Sequence, residues 1–96
     1  MTKADIVSQI SDQTGMEKGD VQVTVDAFMR AVRNNLENGE NVYLRGFGSF
    51  VVKTRAAKTG RNILAKKSIQ IPAHNIPSFK PSKDFVENVK VNVKVK

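Results

Sequence analysis

Residues 41–55, Asn41-Val42-Tyr43-Leu44-Arg45-Gly46-Phe47-Gly48-Ser49-Phe50-Val51-Val52-Lys53-Thr54-Arg55, read as two strands joined by a glycine-framed turn. In 41–44, Val42 and Leu44 alternate against Tyr43, the period of two expected of a half-buried strand. Arg45-Gly46-Phe47-Gly48 supplies the turn, because glycine adopts backbone angles that other residues resist. Residues 49 to about 55 form the second strand, with Phe50, Val51 and Val52 as its apolar members.

Upstream, the period changes to that of helices. A first helix is expected over about 3–14: Thr2 can cap it, Asp5 completes a capping box, Ile6, Val7 and Ile10 share a face, and Gly15 stops it. A second, of about five turns, carries Val21, Val25, Phe28, Met29, Val32 and Leu36 as one apolar stripe and stops at Gly39. That stripe is long for so small a domain, so part of it is expected to meet a second copy of the chain.

Downstream, 54–67 is polar and basic, and strand character resumes over 68–76, where Ile69 and Ile71 alternate against Ser68 and Gln70 before Pro72. Two strands separated by basic residues suggest a long hairpin arm, too poor in apolar residues to pack on its own. Phe79 is expected to return to the core. A third helix starts at Pro81-Ser82 with Ser82 as its cap and Phe85, Val86 and Val89 as buried positions. The terminal Val-Lys alternation over 89–96 fits a frayed helix end or an extended basic tail. Phe28, Phe47, Phe50, Phe79 and Phe85 are all read as core.

Ninety-six residues make one domain with a thin core, for which dimerisation is one remedy. The net charge is +7, unevenly spread. Residues 1–40 hold four basic and seven acidic side chains, 41–83 hold nine basic and no acidic ones, and 84–96 hold three and two. A 43-residue stretch without an acid points to phosphate polymers or anionic membranes as partners. Without cysteine there is no disulfide or thiolate metal site. The N-terminus does not read as a secretory signal, and no apolar run exceeds three residues, so nothing here is expected to span a bilayer, and a membrane is not retained as a partner. The single histidine, His74, reads as a surface residue of the arm. Seven of the nine carboxylates lie in the helical half, placed for surface and caps. No nucleophile, metal or cofactor is expected, and the chain is read as not an enzyme.

Four segments then converge. Gly46-Phe47-Gly48-Ser49-Phe50, Arg55-Ala56-Ala57-Lys58-Thr59-Gly60-Arg61-Asn62, Ile71-Pro72-Ala73 and Pro77-Ser78-Phe79-Lys80-Pro81 closely resemble the signature of the HU/IHF family of bacterial histone-like proteins. The resemblance covers nearly the whole chain, including the helix-helix-strand order. It implies an α+β fold: two N-terminal helices, a three-stranded antiparallel β-sheet with a long β-ribbon arm, and a C-terminal helix, in an intertwined dimer. One domain, 1–96, would comprise a helical dimerisation region (1–40), a β-saddle and arm (41–81), and a C-terminal helix with a basic tail (82–96). Wrapping of double-stranded DNA by two arms through the minor groove comes with the family rather than from these residues.

On the arm, the candidate DNA-binding residues are Lys53, Arg55, Lys58, Arg61, Asn62, Ile63, Lys66 and Lys67. Lys53 and Arg55 lie two apart on a strand and can face one backbone. Arg61 and Asn62 can reach the minor-groove floor, where the base pattern is degenerate. The family usually has a proline directly after the Arg-Asn pair; here it is Ile63, followed by Leu64. Isoleucine also serves as a wedge between base steps, so Ile63 either wedges or packs on the groove or arm. A second departure is Ala65-Lys66-Lys67 where the family commonly has Thr-Gly and an acid. Arg45 and Gly46 at the turn, Lys80, Ser82 and Lys83 at the third helix, and Thr2 and Lys3 at the first complete the set, helix N-termini being favourable for anions. For Lys3 the competing reading is a salt bridge to an acid of the second helix such as Asp26.

The function expected is that of a nucleoid architectural protein, cytoplasmic, that bends and compacts DNA with little sequence preference. A sequence-selective IHF-like cofactor is the alternative, its selectivity resting on deformability. A basic RNA-binding protein is a further one. A homodimer is expected, a heterodimer with a paralogue being the other arrangement.

Overall fold

The computed structural model describes residues 1–62 and 67–95. Helix α1 spans Lys3–Thr14 and opens on the expected capping box. The Thr2 hydroxyl accepts from the Asp5 N–H at 3.3 Å, and the Asp5 carboxylate accepts from the Thr2 N–H at 2.9 Å. Gly15 closes it, its N–H bonded to the Ser11 carbonyl. Helix α2 spans Lys18–Glu37 and packs on α1; its Val21 is buried, 2 % exposed. Val7 is the other buried apolar side chain among the described residues.

Strand β1 (Val42–Leu44) turns into β2 (Gly48–Arg55), and β2 pairs along its length with β5 (His74–Pro81), giving an antiparallel sheet of order β1-β2-β5. Between them, β3 (Lys58–Asn62) and β4 (Lys67–Ile71) form a separate two-stranded ribbon. Helix α3 spans Lys83–Asn92, with Ser82 accepting from the Phe85 N–H as N-cap. The Cα radius of gyration is 18.8 Å, against about 13 Å for a compact domain of this length. The ribbon therefore stands away from the body.

Several expectations are corrected. Residues 54–67 are not simply a polar connection, since β3 lies within them, and 68–76 is not one strand but parts of β4 and β5, interrupted at Pro72-Ala73. Strand β5 runs on through Pro77 to Pro81, paired with Val52 and Gly48. Proline lacks the N–H for a ladder, but β5 is an edge of its sheet and tolerates it. Four of the five phenylalanines form a cluster, with Phe47 centred 5.1 Å from Phe79 and 5.5 Å from Phe85, and Phe50 4.9 Å from Phe79. The five are not a closed core: Phe28, Phe47 and Phe79 are open on one side, while Phe50 and Phe85 are half-buried. Val86 and Val89, expected inside, are likewise exposed. Two helices and a narrow sheet offer too little material to cover both sides of the cluster. What remains is an open apolar groove of about 850 Å³ between α2 and the sheet, lined by Phe28, Met29, Val32, Leu36, Phe50 and Val52. Of the terminal alternation, Val89 to Asn92 is helical and Val93 turns extended. A good N-cap, Asp84 in the first turn and Lys90 in the last carry the helix past its valines.

Candidate nucleic-acid interface

The period of two sorts the sheet into an inner face, with Val42, Leu44, Phe50, Val52 and Phe79, and an outer one. Register places Tyr43 opposite Ser49, Ser49 opposite Lys80, and Val51 opposite Ser78, with Lys53 one step along β2. Tyr43, Ser49, Val51, Lys53 and Lys80 line a shallow groove of about 430 Å³ on the outer face. Both lysines are exposed.

Beside this face, the turn and α3 are latched together. The Phe47 N–H donates to the Leu44 carbonyl at 3.0 Å, closing a β-turn with Gly46 at φ +82° in its third position, as a type II turn requires. The Ser82 N–H donates to the Phe47 carbonyl at 2.8 Å, and the Ser82 hydroxyl to the Gly46 carbonyl at 3.1 Å. Arg45, Lys80 and Lys83 are thereby gathered round one corner. Ser82 and Gly46, nominated as DNA contacts, build that corner: the serine hydroxyl is occupied as cap and latch.

At the root of the arm Arg55 sits opposite His74, which is exposed. The Thr54 hydroxyl donates to Asn75 Oδ1 at 2.7 Å, tying β2 to β5 there. Lys58 opens β3 and is exposed. Arg61 and Asn62 end β3, with Asn62 paired to Lys67 at the start of β4. Ile63 and Lys66 lie outside the described residues. Lys3 has its ammonium 3.0 Å from Asp26, half-exposed, the competing reading of that residue. A pair this open contributes about 0–1 kcal/mol, so the lysine is only lightly held.

Among the described residues, Arg45, Lys53, Arg55, Lys58, Lys80 and Lys83 make no salt bridge to a carboxylate. Their charge is uncompensated locally, on a sheet and arm whose stretch of sequence contains no acid. Such a surface gathers polyanions and exchanges their counterions for fixed cations. The residues that sequence reasoning left out are Asn41, Tyr43 and Ser49. The alternation that set Tyr43 against Val42 and Leu44 was the available signal.

Residues 1–90 match the model of a family described as bacterial DNA-binding protein. The chain belongs to that family. It is 46 % identical over 90 residues to DNA-binding protein HU of Thermus thermophilus, covering 94 % of this chain and 93 % of that one. It is 40 % identical over 90 residues to DNA-binding protein HU of Staphylococcus aureus, covering 94 % of this chain and all of the other. Among solved structures, an Anabaena HU–DNA cocrystal structure superposes with a TM-score of 0.85 at 28 % identity, over 98 % of this chain and all of that one. The V42I mutant of Thermotoga maritima HU superposes with a TM-score of 0.71 at 27 % identity, over 93 % and 99 % of the two chains. For this HU-family chain the three helices, the three-stranded antiparallel sheet and the ribbon are the family's fold. Among the described residues no helix is long and apolar enough to cross a membrane.

Proposed function

We infer that this chain is a nucleoid-associated architectural protein that binds duplex DNA, bends it and compacts it, largely without regard to sequence. The observation that carries the reading is the acid-free cationic sheet and arm, set on a fold that matches an HU solved with DNA. Phosphate contacts position a protein and carry no sequence information, while the minor groove separates little more than A·T from G·C. A grip made of lysine and arginine is therefore indifferent to sequence. Relatives named HU support this reading over the sequence-selective one.

The single domain works as a homodimer, with residues 1–40 as its dimerisation region. The groove between α2 and the sheet supports this, because Phe28 and Met29 on its wall are 46 % and 45 % exposed in one chain. Apolar surface left facing water favours association. Sedimentation equilibrium should return twice the 10.6 kDa chain mass; a monomer at every concentration would remove the shared base on which two arms depend.

Lys3, Arg45, Gly46, Lys53, Arg55, Lys58, Lys80, Ser82 and Lys83, with Arg61, Asn62, Ile63, Lys66 and Lys67 of the arm, form the DNA-contacting set. Ile63 acts as a wedge between base steps, taking the place of the family's proline. Its replacement by alanine should reduce the bend of a doubly labelled duplex, read by fluorescence transfer, more than it reduces affinity. An unchanged bend would show that Ile63 is not the wedge. The reading as a whole is tested by competition among random-sequence DNA, a selected duplex and double-stranded RNA. Equal competition by the two DNAs, with RNA weaker, is the expected result. Preference for one DNA sequence supports the IHF-like alternative, and preference for RNA defeats the architectural reading.

A further inference from the structure

We propose that Tyr43 is a duplex-contacting residue whose hydroxyl donates to a phosphate oxygen, and that Asn41 is the positioning residue that aims it; the proposal rests on the DNA-binding reading above. Tyr43 is the only tyrosine in the chain and is 71 % exposed on the outer face of the sheet. An aromatic ring so open gains little from burial, yet its hydroxyl is held. The Asn41 side chain does this with both ends of its amide. Its Oδ1 accepts from the Val52 N–H at 3.0 Å, extending the β1–β2 pairing beyond the end of β1. Its Nδ2 donates to the Tyr43 hydroxyl oxygen at 3.3 Å. Because Oδ1 is committed to a backbone N–H, the amide's orientation is set, and the group it turns toward Tyr43 is a donor.

The consequence is a donor that only water takes up in the free protein, and that a ligand can claim. With its oxygen accepting from Asn41, Tyr43 has its own O–H left to donate, and among the described residues no side chain or backbone acceptor receives it. The neighbours sharing its groove include Lys53 and Lys80, both donors without an acid partner among the described residues. A shallow site offering a phenol O–H at its β1 edge and ammonium groups further across the sheet suits a ligand that presents a row of anionic acceptors. The phosphodiester chain of a duplex does so, and tyrosine is among the side chains that donate to phosphate. The lysines supply the charge-dependent part of the grip. Tyr43 supplies a neutral, directional one that releases no counterion.

That difference gives the test. Binding to one labelled duplex is followed by fluorescence anisotropy across a salt series for the wild-type protein, Tyr43→Phe, Asn41→Ala, the double variant and Lys80→Gln. Tyr43→Phe keeps the ring and removes only the hydroxyl. It should weaken binding about tenfold at each salt concentration, the effect of losing about 1.4 kcal/mol of hydrogen bonding to a charged group. The slope of log K against log salt should stay as in the wild type. Lys80→Gln should make that slope shallower by about 0.9 for each phosphate the lysine had neutralised. Asn41→Ala should weaken binding in the manner of Tyr43→Phe, and the double variant should bind no worse than the weaker single one, the non-additivity of two residues acting as a unit. Thermal melting of Asn41→Ala confirms that the variant assayed is folded. Wild-type affinity in Tyr43→Phe, beside a steep wild-type salt response, overturns this proposal and leaves the DNA-binding reading intact. Additive losses in the double variant overturn the positioning role of Asn41. A wild-type protein indifferent to the duplex in dilute salt defeats the DNA-binding reading itself.

Discussion

Raising monovalent salt from about 50 to about 200 mM should lower the affinity of the dimer for a linear duplex by about 10³–10⁵, the response of a grip making roughly 6–10 phosphate contacts. The structure explains why the effect should be this large. Arg45, Lys53, Arg55, Lys58, Lys80 and Lys83 have no carboxylate partner among the described residues, so binding does not first have to break internal ion pairs. Each cation that reaches a phosphate releases condensed counterions, and the entropy of that release fades as bulk salt rises. Lys3 is the exception, since it must exchange Asp26 at 3.0 Å for a phosphate. Replacing Lys3 should therefore reduce the salt slope less than replacing Lys80. Titrations at several salt concentrations check both statements. A slope near zero would mean that the protein does not hold DNA by its backbone, and the architectural reading would fall with it.

Gly48→Ala should destabilise the fold by about 1–3 kcal/mol, the range for forcing extra atoms into a packed site. Gly48 is buried at the start of β2, opposite Pro81. A Cβ there would stand 2.5 Å from the Lys80 carbonyl oxygen and 2.7 Å from the Phe79 ring. The ring can tilt, but the carbonyl belongs to the neighbouring strand, so β2 and β5 would have to part. That movement would disturb Lys80, the Phe79–Phe50 contact and the corner that Ser82 latches. In a domain of this size each kcal/mol lowers the melting temperature by about 4–8 °C, compared at one protein concentration because an oligomer's melting depends on it. Gly46→Ala is the informative companion: a Cβ there meets nothing within 4 Å, and its strain comes from φ +82° alone. It should cost about 1–2 kcal/mol, the penalty of the left-handed conformation. A Gly48→Ala protein that melts with the wild type would show that the sheet yields at this point without cost.

Local rules were enough wherever an element's limits depend on neighbours in sequence. Thr2, Asp5 and Gly15 bound α1 because caps act within one turn, and Ser82 starts α3 for the same reason. The Gly46-Phe47-Gly48 turn was legible, and so was the positive charge of sheet and arm, since charge is additive and an acid-free stretch of 43 residues remains basic however it folds. Strand β5 was harder to see. Pro77 and Pro81 argue against a strand until the topology shows that β5 lies at an edge. The split of the arm from the body at Ala56-Ala57 and Pro72-Ala73 depends on which residues face one another across the ladder. Local pattern does not determine that.

The sequence by itself determined the helices, the turn, the basic arm and the class of partner, because caps, period and charge are properties of short stretches. Tertiary structure alone decided that Phe28 and Phe50 line an open groove, that Gly48 must lack a side chain, and that Asn41 holds the Tyr43 hydroxyl. Each depends on distances between residues far apart in the chain or on opposite strands, and packing and hydrogen bonding are decided over a few ångströms of space rather than by position along the backbone.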